Sequence, residues 1–495
     1  MEDTLNKDEN QYRSMAKGTA MMGGVQVFNI IINLVRGKLV ALFLGPQGMG
    51  VMSLLQSSGN MVQQISSCGL NLSSVREIAN SVDNRNHIIS VIRKLLLLSG
   101  ILGVIAIICL STGLSYFSFG NADYKWYYIF LSVWVLFTTL ANGELSILQG
   151  AHALKRLAVA TLVGSCTGLF VGVPMFYLWG EKGIVPALIA SSIALFIFYK
   201  YHSYRQFGNL SSYKVNLREE GSLIKKLISL GFIYMISALL GTITTYFINS
   251  FVRFSGTVDD VGLFQAANSL TNQYAGLVFT AMSMDFFPRL SAVSSDNNKV
   301  RDLVNNQTEI VVLIVAPIVS LIILFAPLII KILLTNDFMV ISPVIKLMAV
   351  GIFFKAVSYP MGYISFSKGD KKTFFWLEGV CGNALHLLLS VLFYYFWGVV
   401  GLGVAYGIGF FVYIFIYIFA TQKLYGYYPH KELIVLLLPL FGGVALSFVF
   451  SFINKGYLSY SLVALITIIL MWYCLSQLNK RLALKEFLKR RRNKS

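Results

Sequence analysis

Arg36 and Lys355 stand deep inside long apolar stretches, where a cation needs an anion, a water-filled cavity or a route back to the interface. Arg36 follows Gln26, Asn29 and Asn33 at intervals of three, four and three residues, which places all four on one helical face. At 1.5 Å per residue, Arg36 and Lys38 lie about 9–12 Å below the outer end of that helix. Lys38 is placed either to snorkel outward or to bind a ligand. Arg36 shares the amide face, which favours the ligand. Lys355 has no acidic residue three or four positions away, and Tyr359 and Tyr363 follow it along one face. It reads as an unpaired lysine facing a cavity. Lys346 is near an outer helix end and reads as snorkelling. Glu144, Glu378, Asp285 and Arg289, close to cytoplasmic ends, read as interfacial partners for neighbouring Lys and Arg. The deep charge is thus net cationic, and the ligand it suits is an anion.

Three further polar stripes recur at helical spacing: Gln56, Asn60, Gln63 and Ser67; Thr242, Thr245 and Asn249; and Gln265, Asn268 and Asn272. Any one amide is explained by interhelical hydrogen bonding worth less than ~2 kcal/mol. Four stripes together favour a shared cavity. No HExxH, Walker loop, GxSxG or paired-cysteine signature is present. The five cysteines are far apart, and of five histidines only His386 sits in an apolar run. These observations predict no catalytic residue, metal, disulfide or cofactor, and leave a coupling ion, H+ or Na+, open.

The elements that carry these residues follow from composition. Of 495 residues, 56% are hydrophobic and 13% charged, against about a quarter charged in soluble domains. Apolar runs of membrane-spanning length recur at about 18–44, 48–69, 90–114, 125–148, 157–179, 184–201, 223–251, 261–284, 309–331, 343–366, 373–397, 400–420, 432–452 and 458–478. They lack the two-residue alternation of a membrane barrel. The net charge of +18 raises the choice between nucleic acid and membrane orientation, and its distribution decides for orientation. With the N-terminus inside, only Lys125, Lys182, Arg253, Lys331 and Lys455 fall outside, so both termini are predicted cytoplasmic. The polar, acidic first residues lack the pattern of a cleaved signal.

The longest polar connection, 202–222, divides twelve of the spans into six and six. The predicted fold is an all-α polytopic membrane protein of about 14 transmembrane helices. It comprises an N-lobe (1–201), a cytoplasmic linker (202–222), a C-lobe (223–421), an extra helix pair (422–478) and a basic cytoplasmic tail (479–495). An internal repeat supports two pseudo-symmetric lobes. Gly50, Gln56 and Asn60 match Gly262, Asn268 and Asn272 at an offset of 212. Gly164, Trp179-Gly180, Gly183 and Ala187 match Gly382, Trp397-Gly398, Gly401 and Ala405 at an offset of 218. Six spans per lobe give both the same orientation, and the substrate site of such a protein is expected between them.

The run RGKLVALFLGPQGMGV (Arg36–Val51), with Gln56 and SSCGLNLSSVREIA (Ser66–Ala79), resembles the opening of O-antigen and enterobacterial-common-antigen translocases, the Wzx-type lipid-linked oligosaccharide flippases. The resemblance continues, in order, through GELSILQGAHALKRLAVATLVGS (Gly143–Ser165), VGLFQAANSLTNQYAGLVFTAMSMDFFPRLS (Val261–Ser291) and YPMGYISFSKGDKKTFFWLE (Tyr359–Glu378), covering about residues 15–420. It implies the fold of the multidrug/oligosaccharidyl-lipid/polysaccharide flippase superfamily, two six-helix lobes in a V that work by alternating access. It also implies an undecaprenyl-pyrophosphate-linked oligosaccharide as cargo, moved from the cytoplasmic to the periplasmic leaflet of a bacterial inner membrane. In that family basic cavity residues hold the pyrophosphate or acidic sugars, and the matched GKLVA segment carries Lys38. Arg36, Lys355 and the amides rest on their own spacing. The extra helix pair and the tail depart from the family's twelve-helix pattern.

A glycan polymerase or ligase would need a large external loop, which the chain lacks. The rivals are a lipid II flippase of the same superfamily and, further off, a multidrug exporter, which would place acids where this chain has bases. Expected partners are the lipid-linked oligosaccharide, anionic membrane lipids, and glycan polymerase and chain-length components, with no nucleic acid.

Overall fold

The computed structural model describes residues 2–81, 84–208, 219–453 and 457–482. Residues 209–218 of the predicted linker, and the basic tail beyond Leu482, lie outside the described residues.

The first helix, α1 (Glu2–Ser67), carries predicted spans 1 and 2 across a break at Gly45, where φ is +63° and ψ −168°. Pro46 causes the break, because its ring disfavours helical dihedrals in the residue before it and only glycine takes the resulting conformation without strain. Next come α2 (Leu70–Asn80), α3 (Arg85–Phe119), α4 (Lys125–Gly150), α5 (Leu154–Trp179), α6 (Ile184–Phe207), α7 (Gly221–Ser255) and α8 (Val258–Ala292). They are followed by α9 (Asn297–Leu333), α10 (Ser342–Ser367), α11 (Lys371–Phe374), a π-helical turn Phe375–Cys381, α12 (Gly382–Tyr425), α13 (Lys431–Phe450) and α14 (Tyr457–Leu482).

The chain is an all-α polytopic membrane protein. Nine helical stretches among the described residues are long and apolar enough to cross a membrane. Those of 44, 53 and 55 residues each contain a break and hold two crossings. With α7 and α8, of 35 residues each, the described helices accommodate all fourteen predicted spans.

By contacts the chain forms two compact units, Met1–Gly262 and Leu263–Ser495. In the first, α3 packs on α4, α5 on α6, and α1 on α5; α7, which the sequence groups with the later helices, packs here on α1 and α2. Ion pairs tie its polar ends. Arg93 donates to both Glu144 oxygens (2.7 and 2.9 Å) and to Ser203 (3.0 Å), joining α3, α4 and α6. Lys226 of α7 donates to Glu77 of α2 at 2.7 Å. In the second unit α10 packs on α9 and α12, and α9 carries the extra pair α13 and α14. Arg481 of α14 donates to Glu309 of α9 at 2.5 Å, and Lys346 to the Ser451 carbonyl at 3.0 Å. Lys346 thus holds the segment after α13 and lies 4.8 Å from the Phe452 ring centre.

The repeat seen in sequence is also geometric. Gly180 and Gly398 share one unusual conformation, φ +54°, ψ −131° and φ +55°, ψ −141°. Three residues on, Gly183 faces the Met175 carbonyl and Gly401 the Phe393 carbonyl so closely that a methyl group on either would overlap it. Both contacts are related by the same offset of 218.

Candidate functional site

In the first unit the amide and basic face of α1 lies along α5. Ser165 of α5 donates to Asn29 Oδ1 at 2.5 Å. Two turns along α1, Arg36 occupies space left by Gly168, where an added methyl group would sit 3.5 Å from the guanidinium. Arg36 is half-buried, and no acidic partner acts on it among the described residues. Gln26 and Asn33 are exposed and Lys38 is half-buried. The structure therefore brings Asn29 and Arg36 together on α5 and leaves Gln26 and Asn33 at the surface of the chain.

The other stripe of α1 is divided between packing and exposure. Asn249 of α7 donates to Ser53 (3.2 Å) and Ser57 (3.4 Å), and Thr242 to Gln64 (2.6 Å), so this part of the α7 stripe serves helix association. Gln56 is half-buried and Asn60 exposed. Gln63 is buried with its amide nitrogen unpaired.

The second unit holds a denser polar centre. A cavity of about 220 Å³ is lined by Glu378, His386, Tyr406, Phe410 and Tyr413, among others. The π-helical turn that carries Glu378 leaves carbonyls misaligned for ordinary helical bonding, and Asn383 donates to those of Glu378 (3.3 Å) and Gly379 (2.7 Å). Tyr417 donates to the Glu378 carboxylate, and Gly362 of α10 makes room for that carboxylate, since a methyl group there would overlap it. Tyr413 donates to the Leu377 carbonyl at 2.8 Å. Tyr406 donates to Asn272 Oδ1 at 2.9 Å, and Asn272 to Asn268 Oδ1 at 2.6 Å, so two predicted amides of α8 join this centre. Gln265 donates to Ser269 at 3.4 Å.

Lys355 lies 5.4 Å from the ring centres of both Phe279 and Phe410. Lys355 forms no ion pair among the described residues, and Glu378 lines the same cavity as the Phe410 ring beside it. The sequence reading is corrected at Glu378. Glu378 itself does not pair with surface Lys or Arg at a helix end: it faces the interior, held by Tyr417. By contrast Glu144 with Arg93, and Asp285 with Arg289, are paired as expected.

Laying the units over each other at the offset of 218 shows what distinguishes them. Where the second unit has Glu378, His386, Tyr406 and Tyr413, the first has Ala160, Gly168, Leu188 and Leu195. Tyr417 and Tyr199 correspond, as do Asn383 and Ser165. At the former positions the first unit carries small and aliphatic residues where the second carries an acid, a histidine and two tyrosines. That substitution pattern was the available signal for Glu378 and His386.

The family described as polysaccharide biosynthesis protein, Polysacc_synt_3, matches residues 39–343. The lipid III flippase of Escherichia coli (strain K12) is 20% identical over 374 residues, 74% of this chain and 88% of that protein. Among solved structures, the lipid II flippase MurJ in an inward closed conformation superposes with a TM-score of 0.69 at 16% identity, covering 94% of this chain and 100% of its own. An inward-facing multidrug resistance MATE family transporter of the MOP superfamily gives 0.69 at 17% identity, covering 83% and 95%. These relatives are flippases and transporters, not enzymes.

Proposed function

Because the chain belongs to this polysaccharide biosynthesis protein family, we propose that it is a flippase for a lipid-linked glycan precursor, namely an undecaprenyl-pyrophosphate-linked, O-antigen-like oligosaccharide. It moves this cargo from the cytoplasmic to the periplasmic leaflet of a bacterial inner membrane by alternating access. The observation that carries the reading is Arg36, a half-buried guanidinium without an acid beside it among the described residues, in the apolar body of a chain whose fold is that of lipid-precursor flippases. Arg36 and Lys38 in the first unit and Lys355 in the second are each partners for the phosphates. The amides Asn29, Gln56, Asn60, Asn268 and Asn272, with Gln26, Asn33 and Gln265, serve the sugars. The basic tail holds anionic lipid headgroups at about 1 kcal/mol per residue near the surface.

A negative-inside potential drives an anion outward by about 2.3 kcal/mol per charge per 100 mV, so two phosphate charges gain roughly 4–5 kcal/mol. Fixed cations lower the headgroup's desolvation cost without themselves crossing. Release outside requires weaker pairing in the outward-open state, because a ligand bound equally in both states shifts neither.

Expression in a strain lacking its O-unit flippase tests the cargo. Restored surface glycan, with no rescue of a strain lacking its lipid II flippase, is the expected pair of results. Rescue of the lipid II strain alone would transfer the assignment to the cell-wall precursor, the runner-up supported by the MurJ fold. Orientation is tested separately. A membrane-impermeant thiol reagent on intact cells should label Lys125→Cys and spare Ser211→Cys; the reverse would overturn the cytoplasmic placement of both termini.

A further inference from the structure

Resting on the diphosphate reading, we infer that Glu378 is the internal counter-ion of Lys355: it balances the lysine while no cargo is held and gives way to the cargo's phosphates when they arrive. Lys355 is flanked by two phenyl rings, which offer no hydrogen-bond acceptor. Its charge must be balanced from elsewhere, and the carboxylate acting on it is Glu378. The two make no direct ion pair among the described residues, because Tyr417 draws the carboxylate to its own side. The lysine is therefore balanced through space and remains available to a stronger anion.

The adjoining cavity is lined by Glu378, His386 and Phe410, the ring beside Lys355, so a phosphate held there would meet the Glu378 carboxylate as well as the lysine. Like charges in a low-dielectric interior repel strongly. Glu378 must hence weaken anion binding, and that weakening is useful to a carrier. Without the carboxylate the empty unit would have to rearrange with an uncompensated, half-buried ammonium, which is costly. With it, the empty form is close to neutral around Lys355, and the loaded form carries the excess negative charge that favours release.

The test uses the full chain reconstituted in liposomes and farnesyl diphosphate as the binding probe. Glu378→Gln should bind the probe at least about tenfold tighter than the wild type near pH 8. Glycan export by the same variant should drop by about tenfold, since the empty carrier returns slowly. Tyr417→Phe should act in the opposite direction, weakening probe binding several-fold by freeing the carboxylate to approach Lys355. A general loosening of α12 cannot produce opposite signs from two contacts in one hydrogen bond. Should Glu378→Gln prove too unstable to purify, the sign of the Tyr417→Phe effect decides alone. Unchanged or weakened binding in Glu378→Gln, or tightened or unchanged binding in Tyr417→Phe, overturns the counter-ion role while leaving the flippase reading intact. Failure of every form, wild type included, to bind the diphosphate removes the cargo reading and this inference together.

Discussion

Arg36→Ala is expected to lower glycan export roughly 10–100-fold while leaving insertion and abundance unchanged. The magnitude follows from the loss of one hydrogen bond to a charged group, about 1.5–3 kcal/mol. The guanidinium has no acid acting on it among the described residues, so its removal breaks no ion pair and leaves no buried carboxylate exposed. The space at Gly168 merely enlarges. That is why folding should be spared. Arg36→Lys should rescue in part, because an ammonium keeps the charge but loses the planar fork that grips two phosphate oxygens. Lys355→Ala should reduce export by a similar factor; its cost to stability is small only if Glu378 is neutralised with it, so Lys355→Ala with Glu378→Gln is the cleaner variant. Measurement is by complementation of a flippase-deficient strain, with membrane abundance determined in parallel. Full export by a chain carrying both Arg36→Ala and Lys355→Ala at normal abundance would show these bases to be packing or snorkelling residues, and the anion mechanism would fall with that result.

How much of this was legible beforehand depends on whether the signal is local. Span positions follow from runs of apolar residues, and the breaks at Gly45-Pro46 and Trp397-Gly398 follow from residue types, so the helices were predictable. Asn29 and Arg36 were placed on one face by spacing alone, and they do share a face against α5. The placing of Lys355 and Glu378 around one cavity was not legible. The two are 23 residues apart on different helices, and neither has a charge at helical spacing that would betray a partner. The position of Glu378 near the start of its apolar run suggested the interface. A π-helical turn, which no residue pattern announces, and a glycine on α10 instead turn it inward. Asn249 misled in the opposite sense. It continues a polar stripe, yet it is fully buried on Ser53 and Ser57, because an amide in lipid and an amide in a cavity are written with the same letter.

The turns at Gly180–Gly183 and Gly398–Gly401 lead to the second large effect. Gly401→Ala and Gly183→Ala should each cost about 1–3 kcal/mol or more by overpacking. The obstacle in both is a main-chain carbonyl, Phe393 or Met175, which unlike a side chain cannot rotate away. The bond angles and helices on either side would have to move. Gly180 and Gly398 add to the constraint, because their backbone conformation is one that residues with a Cβ enter at a cost of about 1–3 kcal/mol. Substitution there should destabilise by a comparable amount. A matched control is Gly113→Ala in α3, where nothing lies within 4 Å of the added methyl group. That change should be neutral or stabilising by about 0.5–1 kcal/mol, since alanine is the better helix former. Thermal unfolding of the purified protein in detergent reads all five. Because the two turns are related by one offset and make the same contact, their alanine variants should lose stability by similar amounts. A tolerated Gly183→Ala beside an intolerant Gly401→Ala would mean that the repeat preserves the shape of the turn but not its energetic role, and that the second unit, with its acid and its bases, is the more rigidly held of the two.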